Sequence, residues 1–205
     1  TVRAGSKAEM ALPDGTFVHL NAATNLEYDV NNSKQRLVKL SGEAFFDVAK
    51  NPDCPFKVII NDLQIEVVGT SFNVKTYKKD IVETSLLSGR IRISGGSLPH
   101  EYTLSPGQKA TYSAMDRTLR ISKADAHVEA GWRDNYLIFE STPLIDVIAQ
   151  IERWYGVEIR LHHKQIAQDL LSGSFRNESI QNVIRSLSIQ YGFKYEIHKD
   201  IITIY

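Results

Sequence analysis

Residues 139–161 read FESTPLIDVIAQIERWYGVEIRL, and residues 175–197 read FRNESIQNVIRSLSIQYGFKYEI. Adding 36 to Phe139, Leu144, Val147, Ile148, Ile151, Tyr155, Gly156, Val157 and Ile159 gives Phe175, Ile180, Val183, Ile184, Leu187, Tyr191, Gly192, Phe193 and Tyr195. Residue class is kept at every position and Tyr-Gly is identical, so one supersecondary unit is used twice without a gap. Leu144, Val147, Ile148, Ile151 and Tyr155 fall on one face of an α-helix, and the second series repeats that face. Thr142 is read as an N-cap with Pro143 in the first helical position, and Gly156 and Gly192 as the left-handed residues that close each helix. Alternating strands follow at Val157, Ile159 and Leu161 and at Phe193, Tyr195 and Ile197, and Ile201 to Tyr205 forms a last strand. The predicted order is β-α-β, β-α-β, β, an α+β sandwich with two helices on one sheet.

Upstream of this repeat the period changes from helical to two. Val18 with Leu20, Val38 with Leu40, Ala44-Phe46-Val48, Phe56-Val58-Ile60, Leu63-Ile65-Val67, Ile91 with Ile93 and Leu119 with Ile121 each line one face of a short strand. Turn residues separate them, among them Asn61-Asp62, a predicted hairpin turn. Gly15, Gly42 and Gly69 are evenly spaced, which leaves a solenoid-like stacking open as a variant of two facing sheets. The predicted class is mainly β plus α+β: an all-β domain over 1–122, a polar linker over 123–131, and the duplicated domain over 132–205, opened by Trp132.

Composition narrows the function. The chain has 205 residues, 42% hydrophobic and 23% charged, which suits a folded protein with a core. Lysine plus arginine number 24 and aspartate plus glutamate 24, so the basic excess of a nucleic-acid binder is missing. No stretch holds the roughly 18 consecutive apolar residues of a membrane helix, and Thr1 to Lys7 has no signal-peptide core. One cysteine, Cys54, excludes an internal disulfide and a thiolate metal cluster.

Chemical motifs are scarce. There is no G-x-S-x-G, G-x-G-x-x-G or G-K-[ST] pattern. His162-His163 is the one histidine pair, and neighbouring strand residues point to opposite faces, so the two would not chelate together. Glu43 and Asp47 would lie about 13 Å apart along a strand, too far for a glycosidase pair, and are read as solvated. Cys54, between Pro52 and Pro55, is read as a tolerated free thiol. Trp154 lies about 100° around the helix from Tyr155; it either packs at a domain junction or offers apolar surface to a partner. With no catalytic, metal or cofactor residues to name, the chain reads as a binding or regulatory module and not an enzyme.

Taken in order, the motifs resemble the FecR family of periplasmic sigma-factor regulators. They are Leu12-Pro13-Asp14-Gly15-Thr16, Val18 with Leu20-Asn21, Arg36-x-Val38-x-Leu40-x-Gly42-Glu43-Ala44-Phe45-Phe46-Asp47-Val48, Pro55-Phe56, Val68-Gly69-Thr70-x-Phe72-Asn73-Val74, Leu87-x-Gly89 and Leu104-x-Pro106-Gly107-Gln108. Trp132, Leu137, Phe139, Pro143-Leu144-x-Asp146-Val147-Ile148 and Arg153-Trp154-Tyr155 resemble the C-terminal domain carried by Bacteroidetes members. The resemblance implies the periplasmic region of an anti-sigma factor anchored in the inner membrane. A cytoplasmic segment that binds an extracytoplasmic-function sigma factor, and one membrane helix, would precede Thr1.

The duplicated domain also resembles the short secretin/TonB N-terminal domain, which serves as the signalling domain of TonB-dependent outer-membrane transducers. Open sheets of this kind can pair edge to edge. The last strand, Ile201, Ile202, Thr203, Ile204 and Tyr205, carries no charge and is predicted as the edge that docks the transducer, with Trp154 as a further contact. A periplasmic carbohydrate-binding module, using Tyr77 or Tyr112 as a stacking platform, is the competing expectation. A hydrolase with an unrecognised site is the third.

Overall fold

The computed structural model describes residues 1–28, 36–162 and 164–205. Strand accounts for 48% of the chain and helix for 18%. Two compact units result: Thr1–Val2 with Lys7–Ala130, and Arg3–Ser6 with Gly131–Tyr205.

Among the described residues the first unit holds thirteen strands and one short helix: β1 (Ala8–Ala11), β2 (Phe17–Leu20), β3 (Asn25–Tyr28), β4 (Arg36–Ser41), β5 (Glu43–Asp47), β6 (Phe56–Ile60), β7 (Leu63–Val67), β8 (Ser71–Lys75), β9 (Ile81–Ser88), β10 (Ile91–Gly95), β11 (Tyr102–Leu104), β12 (Gln108–Ser113), β13 (Thr118–Lys123) and α1 (Ala126–Ala130). One sheet runs β1-β2-β5-β8-β9-β12-β13 and the other β11-β10-β7-β6-β4-β3. Period two does the sorting. Val18, Ala44, Phe46, Phe72, Val74 and Leu86 of the first sheet meet Val38, Phe56, Val58, Ile65, Ile91 and Ile93 of the second in one core. Phe46 stacks on Phe72 at 5.1 Å and reaches Phe56 of the opposite sheet at 5.8 Å. Each such ring or branched chain contributes about 1.5–3 kcal/mol relative to exposure.

Asn61-Asp62 forms the predicted two-residue turn. Ile60 pairs with Leu63, and Asn61 takes φ 53°, a left-handed value that asparagine tolerates. The even glycine spacing has another origin than stacked coils. β2, β5 and β8, which follow Gly15, Gly42 and Gly69, are neighbours but antiparallel, whereas successive coils of a solenoid would align in parallel. β13 is the outer strand of its sheet, so Ile121 stays largely exposed instead of lining the core. Residues 123–131, read as a linker, include α1, which packs on β9 within the first unit.

The second unit contains a 3-10 turn (Gly131–Asp134), β14 (Tyr136–Pro143), α2 (Leu144–Tyr155), β15 (Glu158–Leu161), a second 3-10 turn (Lys164–Ile166), β16 (Leu170–Arg176), α3 (Ile180–Tyr191), β17 (Tyr195–His198) and β18 (Ile201–Ile204). The element order agrees with the duplication, and buried Val147, Ile148 and Ile151 of α2 recur as buried Val183, Ile184 and Leu187 of α3. Gly156 and Gly192 close the helices at φ 69° and 72°.

Two details differ from expectation. Pro143, not Thr142, precedes the helix and no side chain caps it. Asp169 O and Ala167 O accept from the Leu144 and Ile145 amides instead, so a distant loop satisfies donors that an N-cap would have taken. The strands also form two sheets and not one: β14 pairs antiparallel with β16, while β15, β18 and β17 form a three-stranded sheet in that order. Both sheets and both helices share a single apolar core.

Candidate functional site

The strand registers of the second unit follow the repeat. In the β14–β16 ladder Leu137 faces Phe175, Ile138 faces Ser174 and Phe139 faces Gly173. Ser174 is the residue 36 beyond Ile138, so the pairing is centred on a residue and its own counterpart. β15 lies parallel to β18 and β17 antiparallel to it. Arg160 and Glu196, again counterparts, flank Thr203 from the two sides. Two β-α-β units are thus arranged about a local two-fold, with β18 filling the gap between their second strands, β15 and β17.

That placement overturns the edge assigned to the C-terminus. Ile201, Ile202, Thr203 and Ile204 have backbone partners on both sides, and Ile202 and Ile204 are 1% exposed. The lack of charge in this strand reflects burial between neighbours, not a surface kept open for a partner. Tyr205 continues past the strand. Its amide donates to Lys194 O, its ring lies 5.9 Å from His162, and its hydroxyl donates to Glu196 at 3.3 Å. Trp154 is half-buried against the core of this unit. His163 lies outside the described residues.

The unpaired borders lie elsewhere. β15 and β17 border the three-stranded sheet, and they carry Glu158 and Arg160, and Glu196 and His198, which blunt strand addition. β14 is interrupted between Phe139 and Thr142, with Ser141 at φ 45°, and ends at Pro143. β16 carries one charge, Arg176 at its end. Leu170 to Phe175 is free of charge and proline, its register break sits on the partner strand, and Leu170 is 60% exposed. Gly173 has open space where a Cβ would stand. Among the described residues β16 pairs with β14 alone, so its second border has no strand partner, although Leu170 O accepts from the Tyr191 hydroxyl.

The first unit carries a buried polar cluster that sequence reading placed in solvent. Glu43 is 7% exposed and accepts from Asn21 Nδ2 at 2.7 Å and Asn73 Nδ2 at 3.0 Å. Burial holds its carboxyl above the usual carboxylate range, against the lowering effect of Lys75 and the two asparagines. Glu43 shares a strand face with Phe45, and that aromatic neighbour was the available sign of a covered face. From Glu43 charges alternate across the sheet: Lys75 is its register partner, Glu83 lies 3.7 Å from Lys75, and Lys109 lies 3.7 Å from Glu83 and 2.6 Å from Glu129 of α1. Asp47 is exposed and accepts from Ser71.

Arg36 makes a second buried hub. Its guanidinium donates to Asp14 at 3.2 Å and to the carbonyls of Ala49, Asn51 and Cys54. Cys54 is half-buried. Tyr112, one of the two rings considered for sugar stacking, is a core residue and offers no platform. Tyr77 is half-buried and donates to Ala22 O. Among the described residues no three His, Cys, Asp or Glu side chains gather as a metal site, and no helix is long and apolar enough to cross a membrane.

Comparison with known proteins places this geometry in context. The family model described as "FecR protein" matches residues 1–92, and that described as "FecR, C-terminal" matches residues 136–204. Two crystal structures of a proposed anti-sigma factor from Parabacteroides distasonis ATCC 8503, at 1.65 and 2.50 Å resolution, superimpose with a TM-score of 0.89 each. Both are 30% identical in sequence and cover all of this chain and 97% or 96% of theirs. No curated protein sequence matches.

Proposed function

This chain belongs to the FecR family, and from that premise we propose that it is the periplasmic signalling region of an anti-sigma factor anchored in the inner membrane. In this reading a TonB-dependent outer-membrane transducer delivers the signal, and an extracytoplasmic-function sigma factor receives it through a cytoplasmic segment. The solved relatives, proposed anti-sigma factors over the full length of this chain, support the sigma-factor side. The observation that carries the transducer side is the strand border of β16 that no other strand covers, uncharged from Leu170 to Phe175, in a domain built from two β-α-β units. A strand of the transducer's signalling domain adds there, with backbone hydrogen bonds for affinity and the Leu170 side chain for contact.

Calorimetry between this chain and the signalling domain of the transducer encoded beside it tests the reading. Saturable binding that Gly173→Lys weakens at least tenfold is expected. The new side chain meets open space, so folding is unaffected while a charge sits on the border. Binding unchanged by Gly173→Lys would remove β16 as the docking strand, and no binding at all would remove the transducer.

A further inference from the structure

The two copies of the repeat end their helices alike but are not equally covered. At the end of α2, Gly156 and Val157 both donate to Glu152 O, and the next carbonyl, Arg153 O, accepts from Gly5 N at 2.8 Å. The donor belongs to Arg3–Ser6, a short strap that clusters with the second unit although the residues on either side of it belong to the first. Gly5 and Gly156 both have left-handed backbones, at φ 74° and 69°, and lie back to back. A Cβ on Gly156 would stand 3.2 Å from Ala4 O and 3.3 Å from Gly5 Cα. The strap thus supplies from outside the helix one of the N–H groups that a helix C-terminus lacks.

At the end of α3 the same construction is uncovered. Gly192 donates to Ser188 O, the counterpart of Glu152 O. Among the described residues no N–H from outside the helix reaches Ile189 O, the counterpart of Arg153 O. A Cβ on Gly192 would meet nothing within 4 Å. The Ile189 side chain is 79% exposed, a large apolar group standing beside that carbonyl.

We propose that the C-terminal end of α3, from Ile189 to Phe193, is a second strap site that takes an extended, glycine-bearing segment of a partner polypeptide. The first copy of the repeat defines the occupant: a short backbone segment with a left-handed glycine, whose N–H caps the exposed helix carbonyl and whose Cα rests on the closing glycine. Ile189 adds an apolar contact where the first copy has Arg153. The site adjoins the start of β16, where the Tyr191 hydroxyl donates to Leu170 O at 3.2 Å, but it does not depend on the signalling role.

A synthetic peptide with the sequence of Val2–Lys7 is the probe, titrated into the isotopically labelled full chain and followed by amide chemical shifts. Saturable shifts at Ile189–Phe193 are expected, with no comparable change at Arg153–Val157, where the chain's own strap already sits. Gly192→Asn is the blocking variant. Asparagine tolerates the left-handed backbone and finds open space, so the helix end persists, but its side chain holds a strap away; affinity should fall at least tenfold. Gly156→Asn, which crowds Ala4 and Gly5 of the strap, bars the probe from the first site by the same contact, so the saturable shifts at Ile189–Phe193 should persist in that variant with the same affinity. The proposal is overturned by absence of saturable shifts at Ile189–Phe193 in the unmodified chain, or by shifts there that survive Gly192→Asn. Concentration-dependent self-association that Gly192→Asn removes would give the site to a second copy of this chain and overturn the partner assignment.

Discussion

Ile138 pairs across the β14–β16 ladder with Ser174, the residue that occupies its own position in the second copy of the repeat. The same local two-fold passes Thr203, with Arg160 and Glu196 at equivalent places on either side. Strand β18 therefore lies on the symmetry element itself, outside both copies yet bonded to both.

Removal of Ile202 to Tyr205 should consequently unfold the second unit and not merely abolish a binding surface. The deletion takes two fully buried isoleucines from the core and leaves facing borders on β15 and β17 without partners. Hydrogen exchange should show lost protection in α2 and α3 with protection retained in the sheets of the first unit. The milder Ile204→Ala should cost about 3 kcal/mol in urea unfolding, within the range for isoleucine truncation in a core.

Arg36→Met should destabilise the first unit by about 3–5 kcal/mol, the range for breaking a buried pair from one side. It leaves the Asp14 carboxylate and the carbonyls of Ala49, Asn51 and Cys54 without their donor. Arg36→Lys should recover only part of the loss, because an ammonium cannot reach all four acceptors from one planar fork. Equilibrium unfolding followed by a signal from the first unit measures both.

Glu43 predicts an acid-side benefit. Its folded carboxyl is raised by burial, so the folded chain keeps that proton to higher pH than the unfolded chain does. Stability contributed by this group therefore declines as pH climbs from the ordinary carboxylate value of about 4.3 through the raised one. Glu43→Gln should flatten that part of the stability–pH curve. It should also lower stability at the acid end, since the glutamine amide turns a donor toward the Asn21 or Asn73 donor. A decline of equal slope in the variant would show that another group is responsible.

Lys109 has the same sign, a loss as pH rises, in a much higher window. Burial works against its charge, but the Glu129 hydrogen bond and the nearby Glu129 and Glu83 carboxylates outweigh it and raise its pKa. Its contribution is complete at neutral pH and disappears only as pH rises above the ordinary lysine value toward the raised one. Lys109→Met should cost about 1–2 kcal/mol at neutral pH, between the limits for exposed and buried pairs. The double variant with Glu129→Gln should be less destabilised than the sum of the singles, because the stranded carboxylate is gone. Thermal unfolding of the four proteins completes the cycle.

Much of the fold is local, and local information is legible. Period two marked most core strands of the first unit, and the helical stripes, closing glycines and element order of the second unit follow from one 36-residue repeat. Burial of Glu43 was hidden because alternation says which side chains share a face, not what covers it. The uncharged terminal strand was hidden in the same way: Ile201 to Tyr205 reads identically at a border or between two neighbours.

What the sequence by itself determined is therefore the class of each segment, the duplication and, through the ordered motifs, the family. Only the tertiary structure decided that two sheets form, that β18 is central, that β16 keeps a border without a strand partner, and that a strap covers one helix end and leaves its counterpart bare. The physical reason is that strand pairing and capping join residues far apart in the chain through backbone groups that every residue possesses, so no side-chain pattern encodes the partner.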